Sequence, residues 1–225
     1  VGSEMCIRDS YVNAETPEQG LVYDAKNLAF ILPAGKYIGN SRYKDVFAAS
    51  AMADLTSFRN HWGAETSLDV ELYRPVARYE LVAKDVATFL NKLSTGGLKG
   101  ESFTARVKYS DYLPTGYNLW DDVPKNSLMY MEYKVAFERP ADGTKELKLG
   151  FDYVLTDAGE TVSIPVELEI LNEKNEVLAR TAFRIPCERG KNTTVRGNFL
   201  TSDANGGIGI DPDYDGDLEV DLGEL

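Results

Sequence analysis

The sequence predicts an all-β protein built from antiparallel β-sandwiches, with one short helix. Three observations indicate this fold class: apolar and polar residues alternate strictly in repeated short runs, turn-forming residues separate the runs, and only one stretch has helical periodicity. Period-2 alternation places apolar side chains on one face of a strand and polar ones on the other. A parallel α/β sheet is excluded, because no helical pattern between successive runs would cover its second face.

Seven alternating runs predict a complete seven-stranded C-terminal β-sandwich domain at 101–225. The runs are 103–109, 129–137, 147–155, 162–170, 179–185, 193–199 and 218–222. Segments at 141–143, 157–159, 172–175 and 189–192 carry the Gly, Asn and Asp residues typical of hairpin turns. Polar residues between the apolar ones, including Asp152, Glu167 and Glu169, are expected on the wet faces. Carboxylate pairs such as Asp121-Asp122 are interpreted as solubility features.

Upstream, a less regular pattern predicts a partial N-terminal β-sandwich domain at 11–93. Candidate strands lie at 28–32, from 46 onward, at 68–72 and at 76–83, with Pro75 breaking or bulging the last pair. A helix is predicted near 85–93, because apolar residues repeat there at helical spacing and Asp85 can cap its start. Gly96-Gly97 can end the helix, so 94–100 is the expected linker between the domains.

The first ten residues, VGSEMCIRDS, have neither strand nor helix periodicity and no start methionine. They resemble the translated read-through of a sequencing adaptor, so residues 1–10 are excluded from fold reasoning as a non-native segment. The native N-terminus, with any signal peptide, is then expected to be missing. Cys187 is the one cysteine left, and a small half-buried hydrophobic role is expected for it, with no intrachain disulfide.

The charge of the chain excludes nucleic acid and anionic membrane surfaces as partners. Twenty-four Lys and Arg residues stand against 36 Asp and Glu residues, a formal net charge of −12, and both partners require positive potential. No stretch approaches the roughly 18 consecutive apolar residues that a membrane span requires.

Enzymatic motifs are absent from the sequence, so no catalytic residue and no cofactor is predicted. His61 is the only histidine, and neither G-x-S-x-G, a Walker loop nor G-x-G-x-x-G before a helix occurs. Asp211, Asp213 and Asp215 form the first half of a calcium loop. The position of the bidentate Glu is Leu222, so a solvated acidic turn is favoured over a metal site.

Three aromatic residues, Tyr112, Tyr117 and Trp120, fall in a predicted loop at 110–126. At about sixteen residues this loop is long for a connection between strands. Aromatic side chains on a loop can stack on sugar rings or anchor a protein partner, which makes them candidates for adhesion. The other interpretation is that they fold back and plug one end of the sandwich.

Three segments carry a resemblance to a known family: RPVARYELVA at 74–83, IPCERGKNTTVRGNFLT at 185–201 and YLPTGYN at 112–118. They resemble a first-domain closing strand, a penultimate strand and a loop of the Bacteroidales fimbrillin-like proteins, the Mfa-like and fimbrillin-accessory surface lipoproteins. The similarity covers most of 11–225. It implies tandem β-sandwiches of the transthyretin or Greek-key type in an exported, lipidated protein at the outer membrane.

The resemblance implies a non-enzymatic function, as a fimbrial (pilus) subunit, tip or anchor component. The implied partners are other fimbrial subunits and a host or bacterial receptor, with membrane contact only through a lipid anchor. Strand donation would use the alternating residues Leu218, Val220 and Leu222, which either close their own sheet or enter a neighbour's. The alternative is a surface glycan-binding β-sandwich module that uses the loop aromatics.

Overall fold

The computed structural model describes residues 4–12, 22–24, 30–54, 56–61, 63, 65, 67–159, 161–201 and 218–221. Its strands are β1 (Glu4–Val12), β2 (Tyr23–Asp24), β3 (Phe30–Pro33), β4 (Val46–Asp54), β5 (Val76–Ala83), β6 (Ser102–Tyr109), β7 (Leu113–Asn118), β8 (Val123–Leu128), β9 (Glu132–Glu138), β10 (Leu147–Leu155), β11 (Val162–Asn172), β12 (Val177–Cys187), β13 (Asn192–Gly197) and β14 (Leu218–Asp221). Helix α1 spans Val86–Ser94, and 3-10 turns lie at Arg42–Lys44 and Thr56–Phe58. The expected mostly antiparallel β fold with a short helix is confirmed.

Two four-stranded sheets share the main hydrophobic core. Their strand orders are β10-β5-β13-β14 and β12-β11-β6-β9. Strand β6 alternates strictly between buried and half-buried residues, as its sequence predicts. Helix α1 buries Val86, Phe89 and Leu90 in the same core, where the ring of Phe89 meets that of Phe103 edge-on at 5.1 Å. The helix therefore packs its apolar side against the core that the two sheets share.

Strand β5 lies at the centre of its sheet and joins parts of the chain that the sequence assigns to different domains. It pairs antiparallel with β10 and parallel with β13, and both of these strands follow the expected linker at 94–100. That linker therefore does not separate two sheets. Most residues of β5 are buried, on both of its faces, so its sequence does not alternate as clearly as that of a strand with a wet face.

A second, smaller core lies beside the sandwich. The sheet β2-β3-β7-β8 contributes to it, together with residues from β4 and the ends of β5 and β10; its buried members are Tyr23, Ile31, Val46, Ala48, Val76, Tyr117, Leu119 and Leu155. The expected strand at 68–72 does not form, and the chain makes a single bridge from Tyr73 to Ala48. Residues 4–10, for which the sequence predicts no element, lie in β1, which pairs with β4.

Candidate functional site

Strand β13 is the candidate assembly strand, because it is buried and needs a partner on each side. It pairs with β5 on one side and with β14 on the other. Thr193, Thr194 and Val195 are buried, so both faces of the strand are covered. Buried backbone N–H and C=O groups must be hydrogen-bonded. The edge of β13 that faces β14 therefore requires a strand beside it.

Strand β14 occupies that edge in this structure. Leu218 lies opposite Val195, and Asp221 lies opposite Asn192, in an antiparallel ladder. Of the predicted donor or closing residues, Leu218 and Val220 thus belong to a strand that closes its own sheet, and Leu222 lies outside the described residues. The sequence leaves open whether this strand pairs within its own chain or enters a neighbour's sheet, and here it pairs within its own chain.

The segment that follows β13 is held by hydrogen bonds to the start of helix α1. Asp85 stands at the N-cap position, as expected, but its side chain makes no capping hydrogen bond. Its carboxylate instead accepts the backbone N–H of Leu200, at 3.0 Å, and the hydroxyl of Thr201, at 2.7 Å. The sixteen residues 202–217 then connect this tie to β14.

The prediction of a loop at 110–126 is wrong. Most of this segment belongs to a hairpin, in which β7 pairs with β8. Tyr117 is fully buried in the smaller core and is not available to a ligand, as in the plug interpretation. Tyr112 and Trp120 are 61% and 64% exposed. They lie at opposite ends of β7, so the three aromatic residues do not form one platform.

The turn of this hairpin is held by a charged cluster around Asp122. Arg189, from the turn before β13, donates from Nη1 and Nη2 to the two carboxylate oxygens at 2.8 Å each. The hydroxyls of Tyr73 and Tyr117 donate to the same carboxylate at 2.7 and 2.8 Å. Burial would raise the pKa of Asp122, but these hydrogen bonds outweigh burial and lower it. Asp122 is therefore a structural ion-pair partner, which corrects its interpretation as a solubility residue.

The expectation that Asp152 lies on a wet face is also wrong, because its side chain points into the main core. The ladder between β10 and β5 shifts register between Lys148 and Gly150, and Gly150 has φ +152. A bulge of one extra residue inverts the alternation that follows it. Leu149, the extra residue of the bulge, is buried, and Asp152 and Val154 are buried after it.

Lys44 neutralises the buried carboxylate of Asp152. Its Nζ lies 2.7 Å from Oδ1 of Asp152, and the side chains are 6% and 0% exposed. Lys44 comes from the 3-10 turn Arg42–Lys44, whose start Ser41 caps by accepting the N–H of Tyr43. Burial lowers the pKa of Lys44, although Asp152 opposes this shift. The sequence gives no signal for this pair, since both residues fall where polar side chains are normally solvated.

Four tyrosines complete the polar cluster in the core. Tyr109 donates its hydroxyl hydrogen to Oδ2 of Asp152 at 2.7 Å, and Tyr37 donates to the same oxygen. The Tyr79 hydroxyl lies 2.6 Å from that of Tyr109 and 3.2 Å from that of Tyr133. Burial raises the pKa of all four phenols, so they stay protonated and act as donors.

The remaining predicted positions carry no reactive or metal-binding arrangement in the described residues. Burial raises the pKa of Cys187 to about 12, which keeps this thiol protonated and inert, and His61 is exposed. Asp211, Asp213 and Asp215 lie outside the described residues. Elsewhere in the described chain, no three His, Cys, Asp or Glu residues are grouped as metal ligands. No described helix is both long and apolar enough to cross a membrane.

One family model matches nearly the whole chain. It covers residues 6–223 and carries the description "Family of unknown function (DUF6562)". No curated protein matches the chain.

Several solved structures are similar to parts of this fold. A "putative cell adhesion protein" from Bacteroides ovatus has a TM-score of 0.45 and 14% identity, over 87% of this chain and 63% of that one. The fimbrial anchor protein Mfa2 from Porphyromonas gingivalis has a TM-score of 0.43 and 9% identity, over 87% of this chain and 69% of that one. The chain spans less than two thirds of the length of the Bacteroides ovatus protein.

Proposed function

The chain belongs to the DUF6562 family, and from that premise we propose that it is a non-enzymatic structural component of a cell-surface fimbria. In this proposal it is a subunit, tip or anchor component that assembles with other fimbrial subunits through β-strand pairing. The observation that carries the proposal is the dependence of β13 on a partner strand. The sequence resemblance to fimbrillin-like proteins supports the same function.

Strand exchange at β13 would work by replacing one four-residue strand. β14 contributes only Leu218–Asp221 to the ladder, whereas β5 pairs with six residues of β13 on the other side. A strand from a neighbouring subunit can make the same backbone hydrogen bonds as β14. The main core, which β5, β6 and β11 supply, would stay intact during such an exchange.

A peptide-capture experiment tests this proposal. In the full chain, Leu218 and Val220 are both changed to Asp, which puts two charges into the predicted apolar row of β14 and weakens its pairing. We expect this variant to bind a synthetic peptide of residues 217–225 in calorimetry, while the unchanged chain binds it much more weakly. The control peptide carries the same two Asp substitutions and should not bind.

The amides of β13 give the second readout. In hydrogen exchange, the variant should lose protection at β13 and regain it when the peptide is added, while β11 stays protected throughout. A variant that remains folded but ignores the peptide would contradict strand exchange. So would equal binding of the two peptides.

Trp120 favours a second candidate function, glycan binding at the hairpin turn. Its ring is 64% exposed, and an exposed indole can stack on a sugar ring. Glycan-array binding that is lost in Trp120→Ala but kept in Tyr130→Ala would support it. Tyr130 is a suitable control, because it is 84% exposed and lies beyond β8. Absence of array binding by the unchanged chain would exclude this function for the ligands on the array.

A further inference from the structure

The ion pair between Lys44 and Asp152 has the arrangement of a reactive amine beside a carboxyl group. We propose that these two side chains condense into an intramolecular amide bond, so that the pair is a self-modification site. This inference does not depend on the fimbrial function.

The geometry brings the reacting groups together in a water-poor interior. Nζ of Lys44 lies 2.7 Å from Oδ1 of Asp152, and Asp152 has no exposed surface. Nζ of Lys44 also lies over the ring of Tyr37, 4.6 Å from the ring centroid. Groups held in contact react as if at very high concentration, because no encounter has to be made.

The reaction is a balanced dehydration. One proton passes from the Lys44 ammonium to Oδ1 of Asp152, which leaves a neutral amine and a carboxylic acid. The lone pair of Nζ attacks Cγ of Asp152, and the N–C bond forms. A second amine proton joins Oδ1, the C–O bond breaks and one water molecule leaves. No oxidant, reductant or other reactant is needed.

The surrounding groups favour each step of this sequence. Burial lowers the pKa of Lys44, which favours the neutral, nucleophilic amine. Tyr37 and Tyr109 donate hydrogen bonds to Oδ2 of Asp152, so two donors face the oxygen on which negative charge develops when Cγ is attacked. Condensation also removes two charges from a core in which their desolvation is costly.

The bond would join distant parts of the chain. Lys44 and Asp152 are 108 positions apart, in the turn before β4 and in β10. The amide would tie the smaller core to the edge of the main sheet. Pulling forces on the N-terminal part would then pass into β10 through a covalent bond.

Intact-mass spectrometry of the unfolded full chain tests the proposal. We expect the mass to be lower than the sequence mass by one water molecule. Trypsin digestion should give a branched peptide in which the segment that begins at Tyr43 is joined to the segment that contains Asp152. The modified Lys44 should resist cleavage.

The branched peptide decides the result, because succinimide formation at Asp142-Gly143 or Asp215-Gly216 would also release water. The variant Lys44→Met, which has a side chain of similar length and no amine, should lack the branched peptide. Full sequence mass in the unchanged chain, or loss of water without the branched peptide, would overturn the proposal. Either result would leave the fimbrial proposal untouched, since strand exchange at β13 does not use this bond.

Discussion

Glu169 is a carboxylate on the outer face of a sheet that is nonetheless fully buried. It lies in β11, opposite Arg106 of β6 and Arg180 of β12. Arg180 donates from Nη2 at 2.6 Å, and Lys108 lies 2.9 Å away; Arg106 also pairs with it. Burial would raise the pKa of Glu169, but hydrogen bonds from Lys108, Arg106 and Arg180 outweigh burial and lower it to about 2.

Replacing Glu169 with Gln should destabilise the fold by about 3 kcal/mol, because three cations would lose their shared partner. The folded-state pKa lies below the ordinary value of 4.5, so this stabilisation is present above pH 4.5 and is lost as the pH falls towards 2. Urea unfolding across this pH range measures both effects.

The matched control for Glu169 is Glu167→Gln. Glu167 lies on the same strand face, is 20% exposed and pairs with Lys108 at 3.0 Å. Glu167→Gln should lower the stability of the fold by well under half as much as Glu169→Gln, because partly exposed ion pairs contribute little. Equal losses in the two variants, or a loss that does not shrink at low pH, would contradict the role assigned to Glu169.

Single residues show the limit of alternation as a predictor. It places Glu169 on the outer face, but the expectation that this face is wet there is wrong, because Glu169 is fully buried beneath the cations of the neighbouring strands. It places Asp152 on the wrong face, because the bulge between Lys148 and Gly150 inverts the pattern. A bulge inserts one extra residue into a strand, and this leaves no clear signal in a single sequence. The ion pair of Asp122 was equally unpredictable from the sequence, since its partner Arg189 lies 67 positions away.

Elements are joined here by single carboxylates, and Asp85 is the clearest case. It ties the start of α1 to the segment that follows β13. Asp85→Ala should cost about 1–3 kcal/mol, because the N–H of Leu200 is left buried without an acceptor. Hydrogen exchange at the Leu200 amide should accelerate.

Lys84→Ala is the control for Asp85, because the Lys84 side chain is exposed and only its backbone N–H bonds to the fold, at Gly197. It should leave stability and exchange at Leu200 unchanged. Equal effects of the two substitutions would show that the carboxylate does not hold this junction.

The β7–β8 hairpin depends on a comparable junction at Asp122. Asp122→Asn should cost about 1 kcal/mol, because the charge-assisted bonds to Arg189 are weakened but solvent screens a carboxylate that is 42% exposed. Chemical unfolding measures the loss, and Asp121→Asn is the neighbouring control. Similar stability of the two variants would argue against the ion pair as the support of the turn. Pro, Gly and Asn residues in β7 and β8 explain why the sequence predicts a loop here, since these residues are unfavourable in strands.

At the scale of the whole molecule, β5 makes the N-terminal and C-terminal parts dependent on each other. A fragment of residues 101–225 lacks β5 and leaves β10 and β13 without their shared neighbour. We expect this fragment not to fold alone, because it loses the central strand of one sheet. A poorly dispersed NMR spectrum, compared with that of the full chain, would support this. A folded fragment with a cooperative melt would instead support the boundary at 94–100.

Fold class was readable from the sequence, and strand order was not. Alternation and turn residues identify most of the strands from residue 101 onward, because strands such as β6 keep one face more exposed than the other. They contain no information about which strands become neighbours. β5 has both faces buried and follows a weaker pattern, so its place between β10 and β13 comes from long-range contacts that a local pattern does not encode.

The parallel pairing of β5 with β13 also sets the order of events in folding. Arg78 and Asn192, which lie opposite each other, are 114 positions apart. Closing so long a segment is entropically costly and slow. During synthesis, β5 leaves the ribosome well before its two neighbours exist. The strand at the centre of the sheet must therefore wait for β10 on one side, and longer still for β13 on the other.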